Sequence, residues 1–232
     1  MSFASVKSHV FVDFDGTIAT VDTTDLLLEQ FADPAWQSVE DDWKAGLIGS
    51  RECLVRQIDL VRASPEALEA FVDGIEIDRA FPSFIAACRH RGQDVTVVSD
   101  GLDFTVGRAL RRAGLELPFF ANHLEWLGND RWRLTFPNSR SDCRALSGNC
   151  KCQFAEAASG KFRIVVGDGR SDFCVAENAD LVLAKAALEQ YCRSNDIPYV
   201  AFGDFNEATR LLGSWLDERA ADTISPDALR DE

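Results

Sequence analysis

Two aspartates that follow a short apolar run are the first residues of this chain that point to chemistry. Segment 9–17 reads HVFVDFDGT, so Asp13 and Asp15 stand one residue apart where a buried strand would end. Side chains at positions i and i+2 of a strand leave the same face, and open α/β sheets bind ligands at this end. Because two carboxylates this close are costly without a cation or a shared proton, the pair is a first indication of Mg²⁺ and phosphate.

These residue types suit the transfer of a phosphoryl group. The carboxylate of Asp13 can attack phosphorus and form an acyl phosphate, which divides one difficult step into two. Asp15 can protonate the leaving oxygen and later take a proton from water. Lys151, in the segment GNCKC, can supply a positive charge to the phosphate and to the nucleophile.

Two further segments follow strand-like runs and can supply phosphate and metal ligands. The Ser99 hydroxyl, with the backbone amides of Asp100 and Gly101, can hold phosphate oxygens at the positive end of a helix. Asp168, together with Asp172, offers the hard oxygen ligands that Mg²⁺ prefers. Each segment alone is a weak signal, because aspartates and glycines after a strand are common in turns. Their joint order along the chain favours a phosphoryl-transfer site.

The elements that must position these residues alternate between strands and helices. Apolar runs predict strands at 10–14, 94–99, 162–167, 180–184 and 198–202, and helices at 81–90, 104–113, 172–178 and 188–194. Such alternation predicts an α/β fold in which helices cover both faces of a parallel sheet, a Rossmann-like core of three layers.

The stretch from about residue 21 to residue 72 breaks this alternation, because it holds no convincing strand and has a mostly helical pattern. We expect a small helical cap domain over residues 21–79, inserted after the first strand and lying over Asp13. Residues 1–20 and 80–216 would then form the core. The polar, acidic residues 217–232 are expected to form a flexible tail.

A second irregularity lies at residues 122–136. Alternating apolar residues flank Gly128-Asn129, a dipeptide typical of a hairpin turn. The hairpin is interpreted either as an edge element that covers the core or as a substrate flap.

Composition narrows the classes of partner. A formal charge of -14 argues against nucleic acid or an anionic membrane as the main partner, although it leaves an anionic substrate possible. No run of about 18 apolar residues is present, and residues 1–8 lack the apolar core of a signal peptide. An odd number of cysteines, seven, favours free thiols in a reducing cytoplasm.

Three of the cysteines are close in sequence and raise the alternative of a zinc site. Cys143, Cys150 and Cys152, with His123, offer zinc ligands, but they lack the CxxC pairs of structural zinc sites. The lysine between two of them is better interpreted as a phosphate ligand.

With these motifs in this order, the chain resembles the phosphatases of the haloacid dehalogenase superfamily over nearly its whole length, to about Leu216. The resemblance implies that Asp13 is the nucleophile, that Asp15 is the acid and base, and that the Asp15 carbonyl also binds Mg²⁺. The superfamily's dehalogenases lack the second aspartate and its P-type ATPases have threonine there, so Asp15 favours a phosphatase. The remaining motifs map to Ser99, to Lys151, and to Asp168 with Asp172.

Within the superfamily, the helical insert is similar to that of the phosphoserine phosphatase-like branch. Segments 98–104 and 168–174, with the cysteine-flanked Lys151, resemble most closely the methionine-salvage-type phosphatases of 2-hydroxy-3-keto-5-methylthiopentenyl-1-phosphate. Phosphoserine phosphatases bind the substrate through a glutamate and a cap arginine, and the matching residues here are Asp22 and Arg56. Asp22 can alternatively be the N-cap of a helix, and Arg56 a solvated helix residue.

The expected function is Mg²⁺-dependent hydrolysis of a small phosphorylated metabolite through an aspartyl phosphate on Asp13. Two alternatives remain open. One is a phosphotransferase or mutase that passes the same aspartyl phosphate to a second substrate. The other is a catalytically silent binding module, which would be expected to have lost one of the four central residues.

Overall fold

A seven-stranded sheet forms the centre of the protein, in a computed structural model that describes residues 6–224. The strands are β1 (Ser8–Val12), β2 (Asp94–Leu102), β3 (Phe119–Gly128), β4 (Arg131–Thr135), β5 (Phe162–Gly167), β6 (Leu181–Ala184) and β7 (Val200–Ala201). The helices are α1 (Thr23–Phe31), α2 (Trp36–Lys44), α3 (Ser50–Ile58), α4 (Pro65–Asp73), α5 (Phe81–His90), α6 (Asp103–Arg112), α7 (Lys151–Ala157), α8 (Phe173–Ala176), α9 (Ala186–Ser194) and α10 (Phe205–Ile224).

The strands are ordered β4-β3-β2-β1-β5-β6-β7, and every neighbouring pair is parallel except β3 and β4. This arrangement confirms the predicted α/β fold. β1 lies at the centre because it pairs with β2 on one side and with β5 on the other. The carboxyl ends of these three strands therefore meet, and the segments that follow them carry the predicted site.

Both faces of the sheet are covered, which explains why the central strands are apolar throughout. Val10 and Val12 of β1 belong to the larger core cluster, with Phe84 of α5 and Phe205 of α10. Phe11 points to the opposite face and packs in a second cluster with residues of α7 and α8. The alternation along β1 thus gives the three predicted layers.

Five of the named helices lie between β1 and β2 in the sequence, and the first four, α1 to α4, are called the insert here. Their apolar side chains share one cluster with the β3–β4 hairpin, in which Leu28 and Leu68 accompany Trp132 and Leu134. The Trp132 indole Nε1 also donates a hydrogen bond of 2.9 Å to the carbonyl of Ala63. The hairpin therefore packs against the insert.

The hairpin is longer than the sequence indicated, because residues 119–122 pair in parallel with β2 before the chain turns back. Its strands contribute no residue to the large cavity described below, so the structure favours an edge element over a substrate flap.

The chain end also differs from expectation. Residues 217–224 of the predicted tail continue α10, and an ion pair of 2.6 Å joins Arg91 to Asp217. Glutamate, arginine and two alanines at residues 218–221 favour helix, which explains why α10 continues into this acidic segment. Residues 225–232 lie outside the described residues. None of the described helices combines the length and apolar character needed to cross a membrane.

Candidate active site

Asp13 lies directly after β1 and is almost completely buried. Its backbone N–H donates to the Val166 carbonyl at 2.9 Å, and its Oδ1 accepts a hydrogen bond of 2.7 Å from the Phe14 N–H. The chain then turns through Gly16 at φ 66°, where an added Cβ would collide with the Asp168 carboxylate. Glycine is therefore required for both the backbone conformation and the close approach.

Lys151 lies at the start of α7, and its ammonium joins two buried carboxylates. Its Nζ is 2.8 Å from Asp13 Oδ1 and 2.7 Å from Asp172 Oδ1. Burial alone would lower the pKa of Lys151, but the charges of Asp13 and Asp172 outweigh burial and raise it above its usual range. The lysine therefore stays charged beside the predicted nucleophile.

Three carboxylates crowd around this ammonium. Asp13, Asp168 and Asp172 each offer an oxygen, and these oxygens lie within 4.8 Å of one another. Burial raises the pKa of Asp13 and of Asp168, and the Asp172 carboxylate adds to both shifts. One lysine leaves negative charge in excess, and a hard divalent cation is what such an oxygen set accommodates. The donor set therefore fits Mg²⁺.

Asp15 is held by groups from two directions. Its Oδ1 accepts a hydrogen bond of 2.9 Å from the Thr23 N–H in the insert. Its Oδ2 accepts one of 3.1 Å from the Ser99 hydroxyl, which in turn accepts the Gly101 N–H at 2.8 Å. A Cβ on Gly101 would collide with the Asp15 carboxylate, so glycine is needed there. The predicted phosphate ligands Ser99 and Gly101 thus lie beside the predicted acid.

Asp100 makes contacts that the sequence did not indicate. Its Oδ1 accepts hydrogen bonds from the Asn149 N–H at 2.8 Å and from Asn122 Nδ2 at 3.2 Å. Its Oδ2 accepts one of 2.6 Å from the Ser50 hydroxyl at the start of α3. The side chain therefore connects β2 to the insert and to the loop before Lys151, and any contact with phosphate would come from its backbone.

A cavity of about 760 Å³ opens above these residues, between the core and the insert. Asp13, Asp15, Asp168 and Asp100 line it from the core side, whereas Lys151, Asp172 and Ser99 lie buried beneath its surface. The residues that line the cavity and that the sequence did not assign include Trp43, Ser50, Arg144, Arg170 and Ser171. Arg170 and Ser171 directly follow the Gly-Asp-Gly segment that contains Asp168. Their position in the sequence could therefore have indicated that they belong to the site.

The two predicted specificity residues behave differently. Asp22 lines the cavity and also caps α1, where its Oδ1 accepts the N–H groups of Thr24 at 2.9 Å and Asp25 at 3.0 Å. Enclosure and the nearby carboxylates raise the pKa of Asp22, although solvent in the cavity screens part of the effect. Arg56 is absent from the cavity wall and pairs on an exposed face with Asp42 at 3.4 Å. We therefore leave Arg56 out of the proposed substrate site.

The cysteines near Lys151 do not form a metal site among residues 6–224. All seven are free thiols. His123, the fourth candidate zinc ligand, instead places its Nδ1 2.6 Å from Asp103 Oδ2.

Comparisons with known proteins agree with this geometry. The sequence profile of the haloacid dehalogenase-like hydrolases matches residues 10–177. A relative from Geobacillus kaustophilus, named 2-hydroxy-3-keto-5-methylthiopentenyl-1-phosphate phosphatase, is 31% identical over 210 residues, covering 88% of this chain and 94% of that protein. A relative of the same name from Brevibacillus brevis is 28% identical over 214 residues, covering 90% and 96% of the two chains.

Among solved structures, a phospho-aspartyl intermediate analogue of phosphoserine phosphatase aligns with a TM-score of 0.62 at 23% identity. The alignment covers 80% of this chain and 91% of that chain, and at this identity it shows the fold alone. The profile, in contrast, spans most of the sequence and includes every segment that builds the site. The chain belongs to the haloacid dehalogenase-like hydrolase family.

Proposed function

We propose that this protein hydrolyses small phosphate monoesters in two steps, through an aspartyl phosphate on Asp13 and with Mg²⁺ as cofactor. One observation carries the proposal: the buried Asp13 carboxylate lies 2.8 Å from the Lys151 ammonium, in a cluster with Asp168 and Asp172. A carboxylate held in this way is oriented for attack, and the ammonium offsets the charge that gathers on phosphorus-bound oxygens.

In the first step, an oxygen of Asp13 forms a bond to phosphorus while the bond from phosphorus to the ester oxygen breaks. Asp15 donates its proton to that leaving oxygen and releases the alcohol. In the second step, water attacks phosphorus and gives a proton to Asp15, which frees phosphate and the Asp13 carboxylate. Thr23 and Ser99 hold Asp15 in place for both transfers.

Mg²⁺ would be held by Asp13, Asp168 and the Asp15 carbonyl, with Asp172 as a further candidate, and would neutralise negative charge on the carboxylates and the phosphate. Asp172 already engages Lys151 through Oδ1, so we assign it first the role of holding the lysine. Ser99 and the amides of the segment that follows would hold phosphate oxygens.

Two domains are proposed, with a core of residues 1–20 and 80–216, of which residues 1–5 lie outside the described residues. Residues 21–79 are proposed to form a cap that shields the reaction from bulk water. The insert lines the cavity through α1, α2 and α3, which supports the assignment. Free thiols at all seven cysteines support a cytoplasmic location.

One candidate substrate is 2-hydroxy-3-keto-5-methylthiopentenyl-1-phosphate, because two relatives that match nearly the whole chain carry that activity in their names. O-phosphoserine is the second candidate, suggested by the name of the structural neighbour. Asp22 lines the cavity and is proposed to take part in the choice between them.

The test is phosphate release from p-nitrophenyl phosphate with Mg²⁺, with excess chelator, and with chelator followed by added Mg²⁺. We expect activity only where free Mg²⁺ is present, and none in D13N under any of these conditions. Retained activity in D13N, or equal activity in chelator, would contradict the proposal. Faster p-nitrophenol release on adding an acceptor alcohol, with the phosphoryl group recovered on that alcohol, would identify a phosphotransferase instead.

A further inference from the structure

Arg170 differs from the other cations of the cavity wall because it has no acidic partner. The Lys44 ammonium lies 3.4 Å from Glu40, and the Arg144 guanidinium lies 2.5 Å from Glu177. Within residues 6–224, no carboxylate lies within ion-pair distance of the Arg170 guanidinium. The charge of Arg170 is therefore available to a molecule that enters the cavity.

An aromatic ring of the insert holds this guanidinium in place. The Arg170 Cζ lies 5.1 Å from the ring centroid of Trp43, which belongs to α2 and also lines the cavity. A cation–π contact of this kind uses the flat face of the guanidinium. The N–H groups at its edge stay free, and their fork matches the two oxygens of a carboxylate.

Arg170 lies next in sequence to a residue that contacts the proposed nucleophile, Asp13. It immediately precedes Ser171, whose hydroxyl is 3.5 Å from Asp13 Oδ2. A phosphate ester with phosphorus at Asp13 must leave its alcohol part in the cavity, whose volume of about 760 Å³ greatly exceeds the space that a phosphate group needs. Because Lys44 and Arg144 are already paired with carboxylates, an anionic group in this space is directed toward Arg170.

We infer that Arg170, held against Trp43, determines specificity by binding a carboxylate on the alcohol part of the substrate. This inference rests on the proposed function and selects between its two candidate substrates, because O-phosphoserine carries a carboxylate and 2-hydroxy-3-keto-5-methylthiopentenyl-1-phosphate carries none. The substrate class is then the phosphate monoesters of hydroxy acids. The contact is bidentate, so both the charge and the planar shape of the guanidinium contribute. Trp43 limits the motion of the side chain and is a positioning residue.

The test compares two esters that differ mainly in the group expected to meet Arg170. 3-Phosphoglycerate carries a carboxylate where glycerol 3-phosphate carries a hydroxymethyl group. We expect the wild-type protein to prefer 3-phosphoglycerate. In R170A the loss of kcat/KM for 3-phosphoglycerate should exceed the loss for glycerol 3-phosphate by about tenfold or more, because a hydrogen bond to a charged group is lost. The larger loss should appear as a raised KM for 3-phosphoglycerate.

Two further variants separate binding from a structural role. R170K keeps the charge without the fork and should recover only part of the preference. R62A removes an exposed arginine of the insert that does not line the cavity, and it should leave the preference unchanged. Equal losses for both esters in R170A, or full recovery of the preference in R170K, would overturn the inference.

The outcome also distinguishes the inference from the proposal beneath it. Hydrolysis of p-nitrophenyl phosphate by a wild-type protein that shows no preference for 3-phosphoglycerate would overturn the role of Arg170 alone. Failure to hydrolyse any of the three esters with Mg²⁺ present would overturn the proposed function itself.

Discussion

The Ser50 hydroxyl donates a hydrogen bond of 2.6 Å to Asp100 Oδ2 and so connects the first turn of α3 to the end of β2. The other oxygen of the same carboxylate accepts the Asn149 N–H at 2.8 Å, two residues before Lys151. One side chain thus joins the insert, the central sheet and the loop that carries the lysine. The position of the insert and the position of the charged site are therefore coupled.

Replacing Ser50 with alanine should weaken this coupling. S50A leaves Asp100 Oδ2 without its partner, and we expect a loss of stability of about 1–3 kcal/mol and a reduced kcat/KM. Urea unfolding and steady-state kinetics measure the two effects. S64A is the matched control, because Ser64 caps α4 of the insert through the Ala67 N–H at 3.2 Å, away from the cavity. Equal activities in S50A and S64A would show that the contact to Asp100 does not couple the insert to the site.

Lys151 should contribute to stability as well as to activity. K151M keeps the length and burial of the side chain but leaves two buried carboxylates uncompensated, so unfolding free energy should fall by about 3–5 kcal/mol in the absence of Mg²⁺. K161M is the matched control, because Lys161 pairs with Asp94 at the surface and such pairs contribute about 0–1 kcal/mol. Urea unfolding compares the variants. If K151M proved as stable as K161M, the buried triad would not carry the charge balance that the distances indicate.

The central part of the site could be predicted from the sequence because it depends on strand ends. Asp13 follows a short apolar run, and the parallel pairing of β1 with β5 places Asp168 beside it. Parallel strands that are buried on both faces of a sheet have few alternative arrangements. The local apolar pattern is therefore enough to indicate which residues lie at the strand ends. Ser99 was located by the same reasoning on β2.

The features that the local sequence pattern did not locate depend on contacts between distant segments. Nothing in the local pattern around Asp100 indicates that its carboxylate faces Ser50, because the partner lies fifty residues earlier in the insert. Helical spacing cannot tell which face of α3 meets the cavity, and Arg56 lies on the outer one. Similarly, the parallel pairing of residues 119–122 with β2 depends on where α6 returns the chain.

The packing of the β3–β4 hairpin against the insert predicts different effects for its two tryptophans. W132F removes the indole N–H that bonds to the Ala63 carbonyl, and it should cost about 1 kcal/mol of stability. W126F changes a side chain that is 51% exposed and should leave stability nearly unchanged. Urea unfolding measures both variants. A raised KM in W126F, at unchanged stability, would instead support the interpretation of the hairpin as a substrate flap.

His9 gives a prediction about pH that is independent of the catalytic groups. Burial lowers the pKa of His9 below its usual value of 6.5, the Asp94 carboxylate opposes this shift, and the Lys161 ammonium adds to it. Its Nε2 lies 2.7 Å from the Thr96 hydroxyl. Because the unfolded chain takes up a proton at higher pH than the folded one, stability should be retained above pH 6.5 and lost as pH falls through 6.5 toward the lower, folded pKa.

The contribution of His9 can be isolated with two glutamine variants. H9Q keeps hydrogen-bonding groups near Thr96 but cannot titrate, so its urea midpoint should fall less than that of the wild type between about pH 8 and about pH 5. H90Q removes an exposed histidine at the end of α5 and should follow the wild-type curve. If H9Q lost as much stability as the wild type over this range, burial of the imidazole would not be linked to folding, and the acid sensitivity would belong to carboxylates such as Asp94 and Asp217 that pair with basic side chains.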